Sequence, residues 1–197
     1  MIDIVSQEII CNHIVKPDDS SKVLDFNCQE GDFITILQLE PDQYIGVDFS
    51  QNINTSKKIY PDYKFLDSWI GKSFIKADII CASFYDGCFF DFQYLPNILF
   101  DNLEYQGVFF IIVNTHIGED RLFDIQNKIR EKNMSCDLWG LEYSMPKSEY
   151  KNFEQRFLVQ NTMTLSGELD GCRYWIMSGK RKDTNVISLQ KVKKEGV

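Results

Sequence analysis

Apolar residues come along this chain in short blocks separated by polar turns, and the spacing inside each block predicts its element. Ile2, Ile4, Val5, Ile9 and Ile10 fall at near-helical intervals, which predicts a short packing helix before the turn residues Pro17 to Ser21. Lys22 to Phe26 predicts a first buried strand. The block Phe33 to Leu39 fits a helix or a strand by composition; its place after a tight turn favours a helix, ended by Pro41. Tyr44 to Asp48, Tyr63 to Asp67 and Ala77 to Ala82 predict three further strands, with a helix over 52–60 between the first two. The segment 92–103 reads as a helix in which Pro96 marks a kink or a start. Gly107 to Val113 is the most apolar segment and predicts a central strand. Arg121 to Lys132 is amphipathic, with Leu122, Ile125 and Ile129 on one stripe. Phe157 to Val159 and Arg173 to Met177 predict two late strands, joined as a hairpin through the turn formers of 166–171.

Strands alternating with helices predict a single α/β domain over residues 1–180. Its sheet is doubly wound, mostly parallel and seven-stranded, closed by an antiparallel terminal hairpin, with helices on both faces. Residues 181–197 read as a basic, flexible tail.

Charge narrows the partners. The net charge is −8, yet the chain from Lys180 onward carries six Lys or Arg residues against two acids, so the body is near −12. An acidic body repels phosphate backbones, which makes nucleic acid a disfavoured partner. The chain has no apolar run of membrane-spanning length and no leader pattern at Met1. The six cysteines are scattered without a C-x-x-C pair, so the expectation is free thiols in a reducing cytoplasm and no metal site.

Ligands of open α/β sheets bind beyond the carboxyl ends of the strands, near the point where strand order reverses. That rule selects the turn Asn27-Cys28-Gln29-Glu30-Gly31, Asp48, Asp67 with Ser68, and Ser83-Phe84-Tyr85-Asp86. At these positions the chain resembles the class I S-adenosylmethionine-dependent methyltransferases. Val23 to Gly31 resembles their first motif, a strand ending in an acid (Asp25) followed by a G-x-G-x-G turn. Tyr44 to Ser50 is similar to the second motif, Phe65 to Ser68 to the third, and Asp78 to Tyr85 to the fourth; Gln106-Gly107 matches the glycine turn before the fifth strand.

The resemblance implies S-adenosylmethionine as cofactor, held by Asp25, Asn27, Gln29, Gly31, Asp48, Phe49, Asp67, Ser68 and Ser83. Asp48 would accept the two ribose hydroxyls, a charge-assisted contact, or else cap the helix that follows. Asp67 would accept from the adenine amino group. The turn departs from the pattern, because Asn27 and Gln29 stand where the first two glycines belong and only Gly31 remains. Asn tolerates the left-handed region and preserves the turn, whereas the Gln29 side chain would point toward the methionine part of the cofactor.

For catalysis, His116 follows the fifth strand, where a neutral imidazole would accept a proton from the attacking nucleophile. Tyr85 is the second catalytic candidate, for substrate or methionine-end contacts. Ser83-Phe84-Tyr85-Asp86 differs from the Asp/Asn-Pro-Pro-Tyr/Phe stretch of enzymes that methylate nucleic-acid amino groups. The expected acceptor is therefore a small molecule or sugar, with a protein side chain, a homodimer or a protein partner left open. The aromatic-rich segment Ser135 to Glu154 reads as a substrate-covering insertion or an ordinary surface excursion. Methyl transfer to an O-, N- or C-nucleophile competes with a non-catalytic methyltransferase-like module that has lost its cofactor; a nicotinamide-dinucleotide enzyme of similar topology is a third, less favoured reading, because this turn lacks G-x-G-x-x-G.

Overall fold

The computed structural model describes residues 17–48, 50–67, 75–85, 92–114, 119–142, 158–161 and 172–182. The described strands are β1 (Val23–Phe26), β2 (Tyr44–Asp48), β3 (Lys64–Asp67), β4 (Ala77–Tyr85), β5 (Leu103–Asn114), β6 (Asp137–Glu142), β7 (Leu158–Asn161) and β8 (Cys172–Lys180). The described helices are α1 (Asp32–Leu37), α2 (Ser50–Ile59), α3 (Leu95–Asn102) and α4 (Glu119–Glu131), with a 3-10 turn over Phe92–Tyr94 leading into α3. The helix expected over 2–10 lies outside the described residues.

One sheet runs in the order β3-β2-β1-β4-β5-β8-β6-β7. The first five strands in that order are parallel to one another, and the β5-β8, β8-β6 and β6-β7 pairs are antiparallel. The mostly parallel, doubly wound frame with an antiparallel end is therefore as expected. Its end differs in two respects. Strand β6 arises inside the segment read as an insertion, which brings the sheet to eight strands among the described residues. The two expected late strands are not hairpin partners either: β8 inserts between β5 and β6, and among the described strands β7 pairs with β6 alone.

Two apolar clusters cover the two faces, and the alternation of each strand divides its residues between them. Leu24, Ile80, Ala82, Phe109 and Ile111 join the cluster of α3 and α4, while Val23, Ile79, Cys81, Phe110 and Ile112 join that of α1 and α2. The stripe Leu122, Ile125 and Ile129 is fully buried, as its spacing predicts. Opposite placement of the helix pairs follows from right-handed crossovers leaving β1 in one direction and β4 in the other. Pro96 occupies the first turn of α3, where its missing N–H has no helical partner to lose. Helix α1 stops earlier than Pro41, at Gln38, whose left-handed conformation returns its N–H to Ile34 O and Thr35 O.

Arg181, assigned to the tail by composition, is buried at the amino-terminal end of β5. Its backbone N–H donates to Gly107 O and its carbonyl accepts from Gln106 N. Its guanidinium donates through Nη1 to the carbonyls of Phe100 and Leu103 and lies 4.6 Å from the ring centres of Phe100 and Tyr105. Residues 183–197 lie outside the described residues. Among the described residues no helix is long and apolar enough to cross a membrane.

Candidate functional site

The reversal of strand order lies between β1 and β4, and the turn after β1 forms its rim. Asn27, Gln29 and Gly31 have φ of 57°, 49° and 82°. All three positions where the resemblance calls for glycine are therefore left-handed, two of them with side chains attached. The conformation is held from several sides. The N–H groups of Asn27 and Cys28 donate to Val47 O at 2.9 and 3.3 Å, and Gly31 N donates to Cys28 O at 2.7 Å. Gln29 N donates to Asp48 Oδ2 at 2.7 Å, and the Ser56 hydroxyl donates to Gln29 O. Each bond replaces stabilisation that the non-glycine residues forfeit in this region, about 1–2 kcal/mol per residue.

Asp48 ends β2 and is buried, taking Gln29 N–H and Asn52 Nδ2 (3.3 Å) on Oδ2. Asp67 ends β3 directly opposite Asp48 in the strand register and is exposed. The two acids thus sit side by side on the carboxyl edge of the sheet. Asn27 reaches the other way: its Nδ2 donates to Ser83 O at 2.6 Å, bridging β1 to β4. Ser83 is buried, and its Oγ has no hydrogen-bond partner among the described residues.

Asp25 lies beneath the turn with 0% exposure, so it supports the site from below and offers no surface to a ligand. Its Oδ2 accepts from Tyr44 OH at 2.7 Å, while Oδ1 has no partner among the described residues. Gly46 makes that contact sterically available: a Cβ there would lie 2.9 Å from the Tyr44 hydroxyl and from Cys28 Sγ, and 2.7 Å from Phe65 Cδ1. Burial holds the Asp25 carboxyl well above the usual carboxylate range. The Tyr44 bond opposes this, and the charges of Asp48 and Asp32 add to it. Burial, with Asp25 beside them, likewise pushes up the Tyr44 hydroxyl and the Cys28 thiol. Cys28 and Cys81 are free and buried, so neither presents a reactive thiolate.

The structure therefore brings together Asn27, Gln29, Gly31, Asp48, Asp67 and Ser83 along one edge and sets Asp25 behind them. Tyr85 is the last residue of β4, its backbone paired with Asn114; its side chain lies outside the described residues, as do Phe49, Ser68 and His116. Sequence reasoning missed Tyr44 and Ser56. Tyr44 reads as one more apolar strand residue. Ser56 has a local signal, since it follows Asn52 by one helical turn on α2 and donates back to its carbonyl at 3.1 Å.

No family model and no curated protein sequence matches the chain. Solved structures do. Precorrin-6y C5,15-methyltransferase from Geobacter metallireducens aligns with a TM-score of 0.62 at 8% identity, over 93% of this chain and 90% of its own. A SAM-dependent O-methyltransferase from Thermotoga maritima aligns at 0.62 with 10% identity, over 93% and 67%. A SAM-dependent methyltransferase from Archaeoglobus fulgidus aligns at 0.62 with 13% identity, over 89% and 93%. Likeness at such low identity is a statement about architecture, and in architecture this chain has the class I, Rossmann-like fold of the S-adenosylmethionine-dependent methyltransferases.

Proposed function

We propose that the chain binds S-adenosylmethionine at the carboxyl edge of β1, β2 and β3 and transfers its methyl group to a small molecule. The observation that carries this reading is the turn after β1. Asn27, Gln29 and Gly31 keep positive φ of 57°, 49° and 82°, and the turn is tied to Asp48 at the end of β2. The turn thus keeps the backbone conformation of a glycine loop at the crevice where strand order reverses, the place a ligand takes in such a sheet.

The residues fit the group. Asp48 is the acceptor for the ribose diol, Asp67 beside it for the adenine amino group, and the buried, unpartnered Ser83 Oγ is a polar atom at the crevice. When bound, the cofactor supplies an electrophilic methyl carbon on a sulfonium. The chain contributes position: the turn and Asp48 hold the nucleoside, and the strand ends align the acceptor, an effect of proximity and orientation. In this reading His116, two residues beyond the end of β5, accepts the proton released by the nucleophile, and Tyr85 at the end of β4 contacts the acceptor. Phe49 and Ser68 extend the nucleoside contacts beyond Asp48 and Asp67. The small-molecule acceptor, rather than nucleic acid, follows from the acidic body.

The test is calorimetric titration and thermal unfolding with S-adenosylmethionine and S-adenosylhomocysteine. Binding must raise the unfolding temperature at concentrations well above Kd, and Asp48→Ala must abolish most of it. Absence of heat and of any shift at millimolar ligand would sink the catalytic reading and leave a module with the fold alone.

A further inference from the structure

In the proposed reading the ribose is at Asp48 and the base toward Asp67 on β3, so the 5′ arm of a nucleoside ligand would run the other way along the strand order, over the β1 turn toward β4. That is the crevice where strand order reverses, the ordinary place for a ligand in such a sheet. Here the crevice is bridged by Asn27 Nδ2 donating to Ser83 O at 2.6 Å. A glycine at this position has no side chain to span it. Asn27 also sits at φ 57°, so this backbone would suit a glycine better.

We propose that Asn27 is a selectivity latch, which weakens the site's hold on an adenine nucleoside carrying an amino-acid arm relative to the bare nucleoside. The proposal rests on the reading that this edge binds the adenosyl cofactor. With the latch closed, adenosine meets Asp48 and Asp67 without disturbing the Asn27–Ser83 bond. A methionyl or homocysteinyl arm entering this crevice would meet the carboxamide that spans it, so its entry would require the bond to break and the Ser83 carbonyl to find another donor. A net hydrogen bond of ordinary strength corresponds to roughly a three- to tenfold difference in affinity. The latch thereby makes Asn27 the residue that sets how tightly the full cofactor is held relative to its nucleoside part.

The experiment is a set of calorimetric titrations of adenosine and S-adenosylhomocysteine against the wild-type chain, Asn27→Gly and Asn27→Ala. Glycine relieves the left-handed strain and so preserves the fold; alanine removes the carboxamide while keeping a Cβ in the same backbone. Both variants are expected to move the affinity ratio toward S-adenosylhomocysteine by about three- to tenfold. An unchanged ratio in both overturns the latch. A change with glycine alone also overturns it, because the cause is then backbone strain and not the carboxamide. If adenosine and S-adenosylhomocysteine bind with a ratio neither variant moves, only the latch falls. If neither ligand binds any form of the chain, the cofactor reading falls and the latch with it.

Discussion

The backbone N–H of Gln29 donates to Oδ2 of Asp48 at 2.7 Å, so the acid that ends β2 also holds the turn that ends β1. Asp48 holds this turn, and in the proposed function it also binds the nucleoside, two separable tasks. Asp48→Ala removes both: it is expected to lower stability by about 1–3 kcal/mol, as for a charged hydrogen-bond acceptor lost from a buried site, and to abolish nucleoside binding. Asp48→Asn retains an acceptor for Gln29 and is expected to cost less than about 1.5 kcal/mol while still weakening binding at least tenfold, since the charge-assisted bonds to a diol are lost. Urea unfolding beside calorimetry checks the pair. Equal stability losses in the two variants would refute the turn-holding role.

Asp25 makes stability depend on pH in a definite direction. Its folded-state pKa is raised by burial, so above the ordinary aspartate value the folded chain keeps a proton that the unfolded chain releases. Stability is then fully present below about pH 4 for this group and falls as pH rises through the folded-state value, with a slope of at most about 1.4 kcal/mol per pH unit. Asp25→Asn removes the titration. The difference in unfolding free energy between variant and wild type, measured by urea unfolding from pH 4.5 to 8, should shift steadily in favour of the variant. Parallel profiles would show that Asp25 does not hold its proton.

Tyr44 is the donor that Asp25 has in this burial, at 2.7 Å. Tyr44→Phe deletes the hydroxyl without changing the ring and leaves both carboxyl oxygens without a donor. The expected loss is about 1–3 kcal/mol. In a double-mutant cycle with Asp25→Ala, which removes the acceptor, the two losses should be non-additive by more than about 0.5 kcal/mol, the mark of direct contact. Additive losses would mean the bond contributes nothing of its own.

The left-handed turn predicts opposite outcomes at two neighbouring sites. Gly31→Ala places a Cβ at φ 82°, 3.2 Å from Ile34 Cδ1 and 3.4 Å from Phe65 Cζ and Tyr60 Cδ2, and is expected to cost about 1–2 kcal/mol. Gln29→Gly relieves the same strain at φ 49° and is expected to be neutral or stabilising by up to about 1 kcal/mol. Thermal unfolding decides it; a clear loss on Gln29→Gly would show that the glutamine side chain itself supports the turn.

Arg181 ties the end of β8 to the start of β5 and the end of α3. Arg181→Ala strips the Phe100 and Leu103 carbonyls of their donor and removes the cation from between the Phe100 and Tyr105 rings. The expected cost is about 2–4 kcal/mol, and Arg181→Lys should recover less than half, because a point charge cannot reproduce the planar fork. A change below about 0.5 kcal/mol in urea unfolding would place Arg181 outside the cooperative unit.

The sequence by itself determined the elements whose signal is periodic. The buried stripe Leu122, Ile125 and Ile129, the apolar core of β5 and the acids at the ends of β2 and β3 all follow from side-chain spacing, because period and burial are local consequences of backbone geometry. It also marked the β1 turn by its composition, but not what holds it. Pairing across the antiparallel end was beyond it: β8 lies beside β5, and β6 separates it from β7, an order decided by which edges remain open once the parallel strands are placed. The same holds for Asp25. As a residue type it reads as a ligand contact, and only the parallel register Asp25 to Gly46 brings the Tyr44 hydroxyl onto it and seals it from solvent. Likewise Asn27 and Gln29 look, in one dimension, like glycines lost. In three dimensions their backbones keep the glycine conformation, because hydrogen bonds donated to Val47, Asp48 and Ser83 and one received from Ser56, all distant in sequence, offset the strain of a Cβ there.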